Sequence, residues 1–346
     1  MTSTFGNSGD AGRRTGKAFE EPHASAQACA SVPAGMDGFR ELVRAEGARL
    51  YRDLPWRRTR DPYIVWLSEV MLQQTQVARV ETRMPAWLER FPNIEVLAEA
   101  PTADVLAAWQ GMGYNRRALA LQRAAREIVE QHGGVFPHEA RALEALPGIG
   151  PATAQGIRSF AFDLPGVYLE TNVRTVFLHH FFPDVPGVPD RELVPLVRAA
   201  CPAVYATDGD SETCAEGYAT PFDAEDTPRA WYYALLDYGA RLKKEVPNPS
   251  RRSATYARQS RFEGSRRQKR AEVVRILLDA KAAGEADMGT AAVHMALNTV
   301  ERAAGRPAVD EALVASILCD LEREGFCARS CHAGDGACDE DRWAIA

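Results

Sequence analysis

The sequence lacks any long uninterrupted apolar run, although 46% of its 346 residues are hydrophobic. A helix needs about 20 mostly apolar residues to cross a bilayer. The N-terminus also lacks the apolar core that a secretory signal peptide requires. We therefore expect no membrane partner and a cytoplasmic location.

Cysteine is scarce and irregularly spaced. The seven cysteines are an odd number, which does not suit a framework of paired disulfides and favours a reducing compartment. Near the C-terminus, the spacings among Cys327, Cys331, His332 and Cys338 do not match the short cysteine pairs of zinc sites. We expect these residues to be free and to hold no metal.

Basic residues are not in excess overall, because the formal net charge is -6. Their distribution is uneven, however. Residues 208–226 carry seven acidic side chains and no basic one, whereas residues 241–270 carry eleven basic side chains and two acidic ones. The distribution of charge decides which surface can meet phosphate. The acidic total therefore does not exclude a DNA partner.

Strand patterns are few, which predicts an all-α body. Residues 1–34 have almost no large apolar side chains and are predicted to be a disordered tail. A helical domain is predicted over residues 35–262, with an acidic surface insertion at 206–228 and a basic segment at 241–262. Residues 263–346 show three helical patterns and then two strand-like runs, which predicts a small winged-helix-like α+β domain.

Helical patterning begins at Asp37, the predicted N-cap, and a dense apolar pattern runs through residues 61–91. Most of that second segment is predicted to be buried, because its apolar positions are too dense for a surface helix. Further helices are predicted at residues 103–110, 115–132, 139–146 and 151–162.

The segment "LPGIGPATA" (146–154) lies between two predicted helices. Gly148 and Gly150 allow a tight turn, and the helix that follows adds unpaired backbone N–H groups and the positive end of its dipole. Such a turn can bind a phosphate whatever the nucleotide sequence. An ordinary helix–helix turn with a Pro-Gly breaker is the alternative.

The segment "WLSEVMLQQTQV" (66–77) places Glu69 inside a very apolar helix. Burial raises the pKa of a carboxyl and suits it to donate a proton near neutral pH. The alternative is that Glu69 lies on the solvent edge of the helix and has no task. Gln73, Gln74 and Gln76 are polar but uncharged, which favours contact with base edges.

The segment "GMGYNRRALAL" (111–121) presents Tyr114 at a loop tip and places Arg116 and Arg117 at a helix start. In a nucleic-acid surface, the ring can stack and the arginines can meet phosphate. Taken alone, the stretch favours the simpler interpretation, a tyrosine packed at a helix start beside solvated arginines.

From about residue 37 to 243, the sequence resembles the helix-hairpin-helix base-excision DNA glycosylases. The resemblance is carried by "LPW" (54–56), "DPYIVWLSEVMLQQTQV" (61–77), "GMGY", "LPGIGPATA" and "TNVRTV" (171–176). Within that superfamily, these motifs are most similar to the adenine glycosylases. The resemblance implies an all-α helix-hairpin-helix fold of two subdomains with the active site between them. It also implies hydrolysis of the N-glycosidic bond of adenine opposite G or 8-oxoguanine in double-stranded, nucleoid DNA.

The resemblance also assigns roles to single residues. Glu69 matches the acid that protonates a flipped adenine and then directs water to the sugar. Gln74 and Tyr114 match the residues that wedge into the base stack. The other candidates for contact with DNA or a base are Arg57, Leu72, Gln73, Arg116, Gly148, Gly150 and Thr153.

Glu170 stands where the family carries an aspartate that faces the oxocarbenium-like sugar, and Asn172 matches its neighbouring amide. Loss of a base builds positive charge on the deoxyribose, which a nearby carboxylate stabilises. We expect the N-terminal dipole of the following helix to keep Glu170 ionised. A helix cap with no other task is the alternative.

Two departures from the family bear on the chemistry. Ala152 stands where strand-cutting relatives carry lysine, so we expect a monofunctional glycosylase. The positions of the family's four iron–sulfur cysteines hold Lys243, Ser250, Ser253 and Gln259, which supply no thiolate. We therefore expect no cluster and no other cofactor, although a monovalent cation could bind at the hairpin.

The winged-helix-like region stands where adenine glycosylases carry a β-rich domain that inspects 8-oxoguanine. Its last helical pattern, "DEALVASILCDLEREG" (310–325), is acidic, and DNA would repel it. We expect this region to pack on the glycosylase body or to bind a protein partner, in a monomeric chain. Two other functions stay open, a glycosylase of the same fold for another damaged or mismatched base and a non-catalytic DNA-binding protein.

Overall fold

The computed structural model describes residues 35–202, 227–258, 261–330 and 341–346. The predicted tail at 1–34 lies outside these residues, as does the acidic insertion except for its last two residues. No helix in the described part of the chain is both long enough and apolar enough to cross a membrane. That part is mostly helical and carries one three-stranded sheet, which confirms the predicted all-α body with a small α+β region.

Seven consecutive helices in the described part of the chain contribute to the first apolar core, which includes the buried rings of Trp66, Trp87 and Trp109. They are α2 (Pro62–Leu72), α3 (Val77–Arg90), α4 (Ile94–Glu99), α5 (Thr102–Ala108), α6 (Arg116–His132), α7 (Ala140–Ala145) and α8 (Pro151–Ala161). Asp61 caps α2, because its side chain accepts a hydrogen bond from the backbone N–H of Tyr63. The start of the helix that carries Glu69 is therefore fixed by local sequence.

A second core lies beside the first and is formed by α1 (Met36–Leu50), α9 (Thr171–Phe181), α10 (Asp190–Ala200) and α11 (Pro228–Glu245). Helices α2 and α8 contribute to both cores. Val65 and Phe160 belong to the second core, whereas Trp66 and Ile157 belong to the first. Helices α2 and α8 therefore form the junction between two helical subdomains.

Two local features differ from the sequence-based expectation. Helix α1 begins at Met36 after Gly35, so Asp37 lies in the first turn and is not the N-cap. The apolar pattern of residues 61–91 is broken at Gln74, whose φ is 55°. An α-helix of L-residues cannot continue through a left-handed residue, so two helices replace one.

The C-terminal region consists of α12 (Arg266–Ala282), β1 (Met288–Gly289), α13 (Thr290–Ala303), α14 (Glu311–Glu324), β2 (Cys327–Ser330) and β3 (Arg342–Ile345). Strand β3 is central and pairs antiparallel with both β1 and β2. The sequence does not reveal β1, because two residues cannot display an alternating pattern. The element order is otherwise the predicted one of three helices and a terminal strand pair.

This C-terminal region packs directly on the first helical core. Val273 and Leu277 of α12 belong to the same continuous apolar cluster as the side chains of α2 to α8. At the end of α14, Glu324 forms ion pairs with Arg116 of α6 and Arg270 of α12, each at 2.6 Å. Of the two expectations for this region, packing on the helical body is therefore observed.

Candidate active site

Glu69 projects from the last turn of α2 at the junction between the two subdomains. Its Oε2 accepts a hydrogen bond from the Tyr168 hydroxyl, with 2.9 Å between the oxygens. Burial raises the pKa of Glu69 to about 8. The hydrogen bond from Tyr168 lowers this pKa, the charge of Glu170 raises it further, and the charge of Arg57 lowers it. The Glu69 carboxyl is therefore mostly protonated at neutral pH and can donate a proton.

The space around Glu69 depends on Gly156 of α8. A Cβ at position 156 would lie 2.5 Å from Glu69 Oε2 and 3.1 Å from a ring carbon of Tyr168. Any side chain there would displace the carboxyl or the ring. Glu69 itself is half-buried, so part of its surface stays accessible to solvent. Sequence reasoning missed Gly156, whose signal is an isolated glycine inside a helical pattern.

Tyr168 is a second residue that sequence reasoning missed. Burial raises the pKa of Tyr168 well above its usual value, and the charges of Glu69 and Glu170 add to the effect. The hydroxyl therefore remains a proton donor to Glu69 at physiological pH. A signal was present in the sequence, because alternate side chains of an extended segment point to the same side, which places residues 168 and 170 together.

Glu170 is the N-cap of α9, and its Oε1 accepts a hydrogen bond of 2.6 Å from the backbone N–H of Asn172. Burial nevertheless raises the pKa of Glu170, while the backbone N–H groups of Asn172, Thr171 and Val173 and the charge of Lys243 oppose the rise. The helix start alone predicts a lowered pKa for Glu170, but the pKa is raised. The cost of desolvating the charged carboxylate therefore outweighs the favourable effect of the helix terminus.

Glu69 and Glu170 differ in what opposes the effect of burial. The Glu69 carboxyl receives one hydroxyl hydrogen bond and the field of a guanidinium. The Glu170 carboxyl receives backbone N–H groups and the field of an ammonium. Hydrogen bonds to the charged form favour that form. Burial thus raises the pKa of both carboxyl groups, and the Glu170 carboxyl has more neighbouring groups that favour its charged form.

Arg57, a candidate for contact with DNA or a base, is buried and bonded to other side chains of the protein. Its guanidinium donates to both carboxylate oxygens of Asp237, at 2.7 and 2.9 Å, and lies 4.3 Å from the centroid of the Tyr233 ring. This buried bidentate pair fixes α11 to the segment that precedes α2. Arg57 acts on the site through its charge, which lowers the pKa of Glu69. Sequence reasoning also missed Asp237.

The hairpin between α7 and α8 requires glycine at one position. Gly148 has a φ of 76°, and a Cβ there would lie 2.6 Å from the Ala120 Cβ. Gly150 has an ordinary φ of -89° and open space beside its Cα, so the backbone at this position does not itself require glycine. Gln73 Nε2 donates to Thr153 Oγ1 at 3.2 Å and ties the first turn of α8 to the end of α2.

Gln74 and Tyr114 border one cleft of about 340 Å³ between the helical body and α12. Both residues have left-handed backbone, with φ of 55° and 50°. Arg267 of α12 donates to the Tyr114 hydroxyl at 3.1 Å, and its guanidinium lies 5.5 Å from the centroid of the Tyr114 ring. Non-glycine residues held in this conformation concentrate at functional sites. Leu72, at the end of α2, is half-buried against the first core.

The two arginines after Tyr114 have internal partners. Arg117 Nη1 donates to the carbonyl oxygens of Val70 and Gln73, at 2.7 Å each, so it caps the C-terminal end of α2. Arg117 is therefore not the solvated arginine of the simpler interpretation. Arg116 is exposed and makes a bidentate ion pair with Glu324, at 2.7 and 2.6 Å.

The positions of the family's cluster ligands do not fit an iron–sulfur group. Lys243 donates to Asn172 Oδ1 at 2.6 Å. Ser250 and Ser253 are buried, and the backbone N–H of Ser250 donates to the Asn248 side chain. Gln259 lies outside the described residues. The described positions therefore offer an ammonium and two hydroxyls where a cluster requires thiolates.

The structure describes one of the four C-terminal residues that were considered for a metal site. Cys327 is buried in β2, and burial raises the pKa of its thiol to about 12. Cys331, His332 and Cys338 lie outside the described residues. Within the part of the chain that the structure describes, no three histidine, cysteine or acidic side chains are grouped so that they could hold a metal ion.

Residues 67–194 match the model of a family described as "HhH-GPD superfamily base excision DNA repair protein". An adenine DNA glycosylase of Mycobacterium tuberculosis (strain ATCC 25618 / H37Rv) is 43% identical over 129 residues, which are 37% of this chain and 42% of that protein. The adenine DNA glycosylase of Homo sapiens is 43% identical over 134 residues, which are 36% of this chain and 24% of that protein. The chain thus spans less than half the length of these curated relatives.

A solved structure of a thermostable thymine-DNA glycosylase has a TM-score of 0.47 and 20% sequence identity, and covers 60% of this chain and 88% of that one. The family match includes Glu69 of α2, the hairpin before α8, and Glu170 at the start of α9. The chain therefore carries, at residues 67–194, a domain of the HhH-GPD superfamily of base excision DNA repair proteins.

Proposed function

We propose that the protein is a monofunctional DNA glycosylase of base excision repair. It would flip a mispaired adenine, opposite G or 8-oxoguanine, from double-stranded DNA and hydrolyse its N-glycosidic bond. The observation that carries the proposal is the placement of the Glu69 carboxyl, which is half-buried, accepts a hydrogen bond from the Tyr168 hydroxyl and lies within the field of the Glu170 carboxyl. The identity to adenine DNA glycosylases supports adenine as the released base. The enzyme would act as a cytoplasmic, nucleoid-associated monomer.

The chemistry assigned to the site needs one proton and one water molecule. Glu69 donates its proton to a ring nitrogen of the flipped base, and the bond between the base and C1′ of the sugar breaks. The carboxylate of Glu170 stabilises the cation that develops on the sugar. Glu69, now ionised and held by Tyr168, takes a proton from the water that attacks C1′. Because Ala152 has no amine, no Schiff base forms and the strand is not cut.

The same proposal gives the surrounding residues their part in DNA binding. Gln74 and Tyr114 enter the base stack from the cleft that they border. The backbone N–H groups at the start of α8, after the turn at Gly148, hold a phosphate without regard to sequence. Arg116 exchanges its ion pair with Glu324 for a phosphate when DNA binds.

The test is base release from a panel of duplexes under single-turnover conditions. The panel contains adenine opposite G, 8-oxoguanine, C and T, together with T:G, U:G and alkylated bases. We expect release of adenine, with strand scission only after alkali reveals the abasic site. Release of a different base alone would favour the same-fold alternative. DNA binding without any release would favour the non-catalytic alternative, and scission without alkali would contradict a monofunctional enzyme.

We also predict that the purified protein is colourless and free of iron. Lys243, Ser250 and Ser253 supply no thiolate at the positions where relatives hold a cluster. Metal analysis and a visible absorption spectrum of freshly purified protein check the prediction. About four iron atoms per chain, with a visible charge-transfer band, would overturn it.

A further inference from the structure

Helix α11 touches the backbone of the first turn of α9, next to Glu170. A Cβ at Gly239 of α11 would lie 2.7 Å from the carbonyl carbon of Asn172 and 2.9 Å from its Cα. Glycine alone permits this approach. Lys243 follows Gly239 by four residues and therefore lies on the same face of α11. The closeness of the two helices brings the Lys243 side chain to the site.

The Lys243 ammonium is partly buried at this contact and donates to Asn172 Oδ1 at 2.6 Å. The backbone N–H of Asn172 donates to Glu170 Oε1, also at 2.6 Å. Asn172 thus joins the ammonium to the carboxylate, through its side chain on one side and its main chain on the other. The Lys243 charge lowers the pKa of Glu170 against the rise caused by burial.

We propose that Lys243 is a positioning residue for Glu170. It orients the Asn172 side chain and supplies the fixed positive charge that favours the ionised carboxylate in front of the sugar. Lysine suits this place because its ammonium is a compact point charge with several donors. The inference rests on the glycosylase function proposed above, and it gives a local task to a residue at a position where relatives place a cluster cysteine.

The expected effect of Lys243→Met has a definite sign. The positive charge lowers the pKa of Glu170, so its removal raises that pKa. The acid limb of the single-turnover rate against pH should therefore move to higher pH by about one unit or more, as for loss of a neighbouring opposite charge. The alkaline limb, which Glu69 sets, should stay in place. Lys243→Arg should restore most of the wild-type acid limb.

The matched control is Lys244→Met, which removes the same charge from the exposed neighbouring position of α11. It should leave both limbs unchanged. Weaker DNA binding for Lys243→Met with an unmoved acid limb would make Lys243 a phosphate contact and overturn the proposal. An equal loss of rate at every pH, with a lower melting temperature, would make it a structural residue and also overturn it.

A second measurement does not depend on activity. Carbon-13 NMR of labelled glutamate carboxyl groups, with the Glu170 signal assigned from Glu170→Gln, gives the pKa of Glu170 in the free protein. It should be higher in Lys243→Met than in wild type or Lys244→Met. An unchanged Glu170 pKa would refute the positioning role, even if every duplex in the panel proved inert. If no duplex in the panel released a base, the proposed function would be contradicted. The NMR measurement would then still decide whether Lys243 positions Glu170.

Discussion

Glu69→Gln should bind a mispaired duplex as tightly as wild type and release no measurable base. The amide has nearly the same shape as the carboxyl but cannot donate a proton of suitable acidity. A positioned acid or base contributes about 10²–10⁴-fold to a rate. Glu69 would act first as acid and then as base, so the loss should lie at the upper end of that range. Single-turnover excision and fluorescence anisotropy measure the two effects.

The matched control is Glu89→Gln, which makes the same change at an exposed position of α3 and should leave excision unaltered. The pH dependence adds an independent check. Because burial raises the pKa of Glu69 to about 8, the wild-type rate should fall as pH rises through that value. Comparable excision by Glu69→Gln and wild type would discard Glu69 as the acid.

The sequence predicts the burial of Glu69 well, because burial follows from neighbours on its own helix. The neighbours of Glu69 on α2 are apolar whatever the fold of the chain. The structure shows that they are buried, as at Trp66, Val70 and Met71. The partners of Glu69 could not be predicted in this way. Tyr168 lies 99 residues away in sequence, and its contact depends on how the two subdomains meet. The local sequence pattern therefore predicts the acid Glu69, whereas the groups that orient it can be identified only from the tertiary structure.

Charge patterning was less informative at the C-terminal region for the same reason. The acidic composition of α14 suggested repulsion from DNA, but composition cannot show where charges find partners. In the structure, Asp320 pairs with Arg266, and Glu324 pairs with Arg270 and with Arg116 of α6, 208 residues away. The acidic residues thus serve partly to hold this region against the helical body. A count of charges along the sequence does not show that these residues are paired.

Glu170→Gln should lower single-turnover excision by about two to four orders of magnitude, as expected for loss of a preorganised electrostatic group. Folding and DNA affinity should change little, because the glutamine oxygen can still accept the hydrogen bond from the Asn172 backbone N–H. Glu139→Gln is the matched control, since Glu139 is an exposed glutamate at the N-cap of α7. Excision at the wild-type rate by Glu170→Gln would reduce Glu170 to a helix cap.

Glu170→Asp then decides the geometry of the site. The family pattern places an aspartate here, and the shorter side chain moves the charge by about 1 Å, a misplacement that can change a rate by about 10²-fold. If the backbone at the start of α9 follows the family, aspartate should retain or improve excision. If the longer glutamate has instead been accommodated by the close approach of α11 at Gly239 and the ammonium of Lys243, the rate of Glu170→Asp should fall towards that of Glu170→Gln. The double variant Glu170→Asp with Lys243→Met separates these two cases. Only in the second case should the effects of the two substitutions on the excision rate be non-additive.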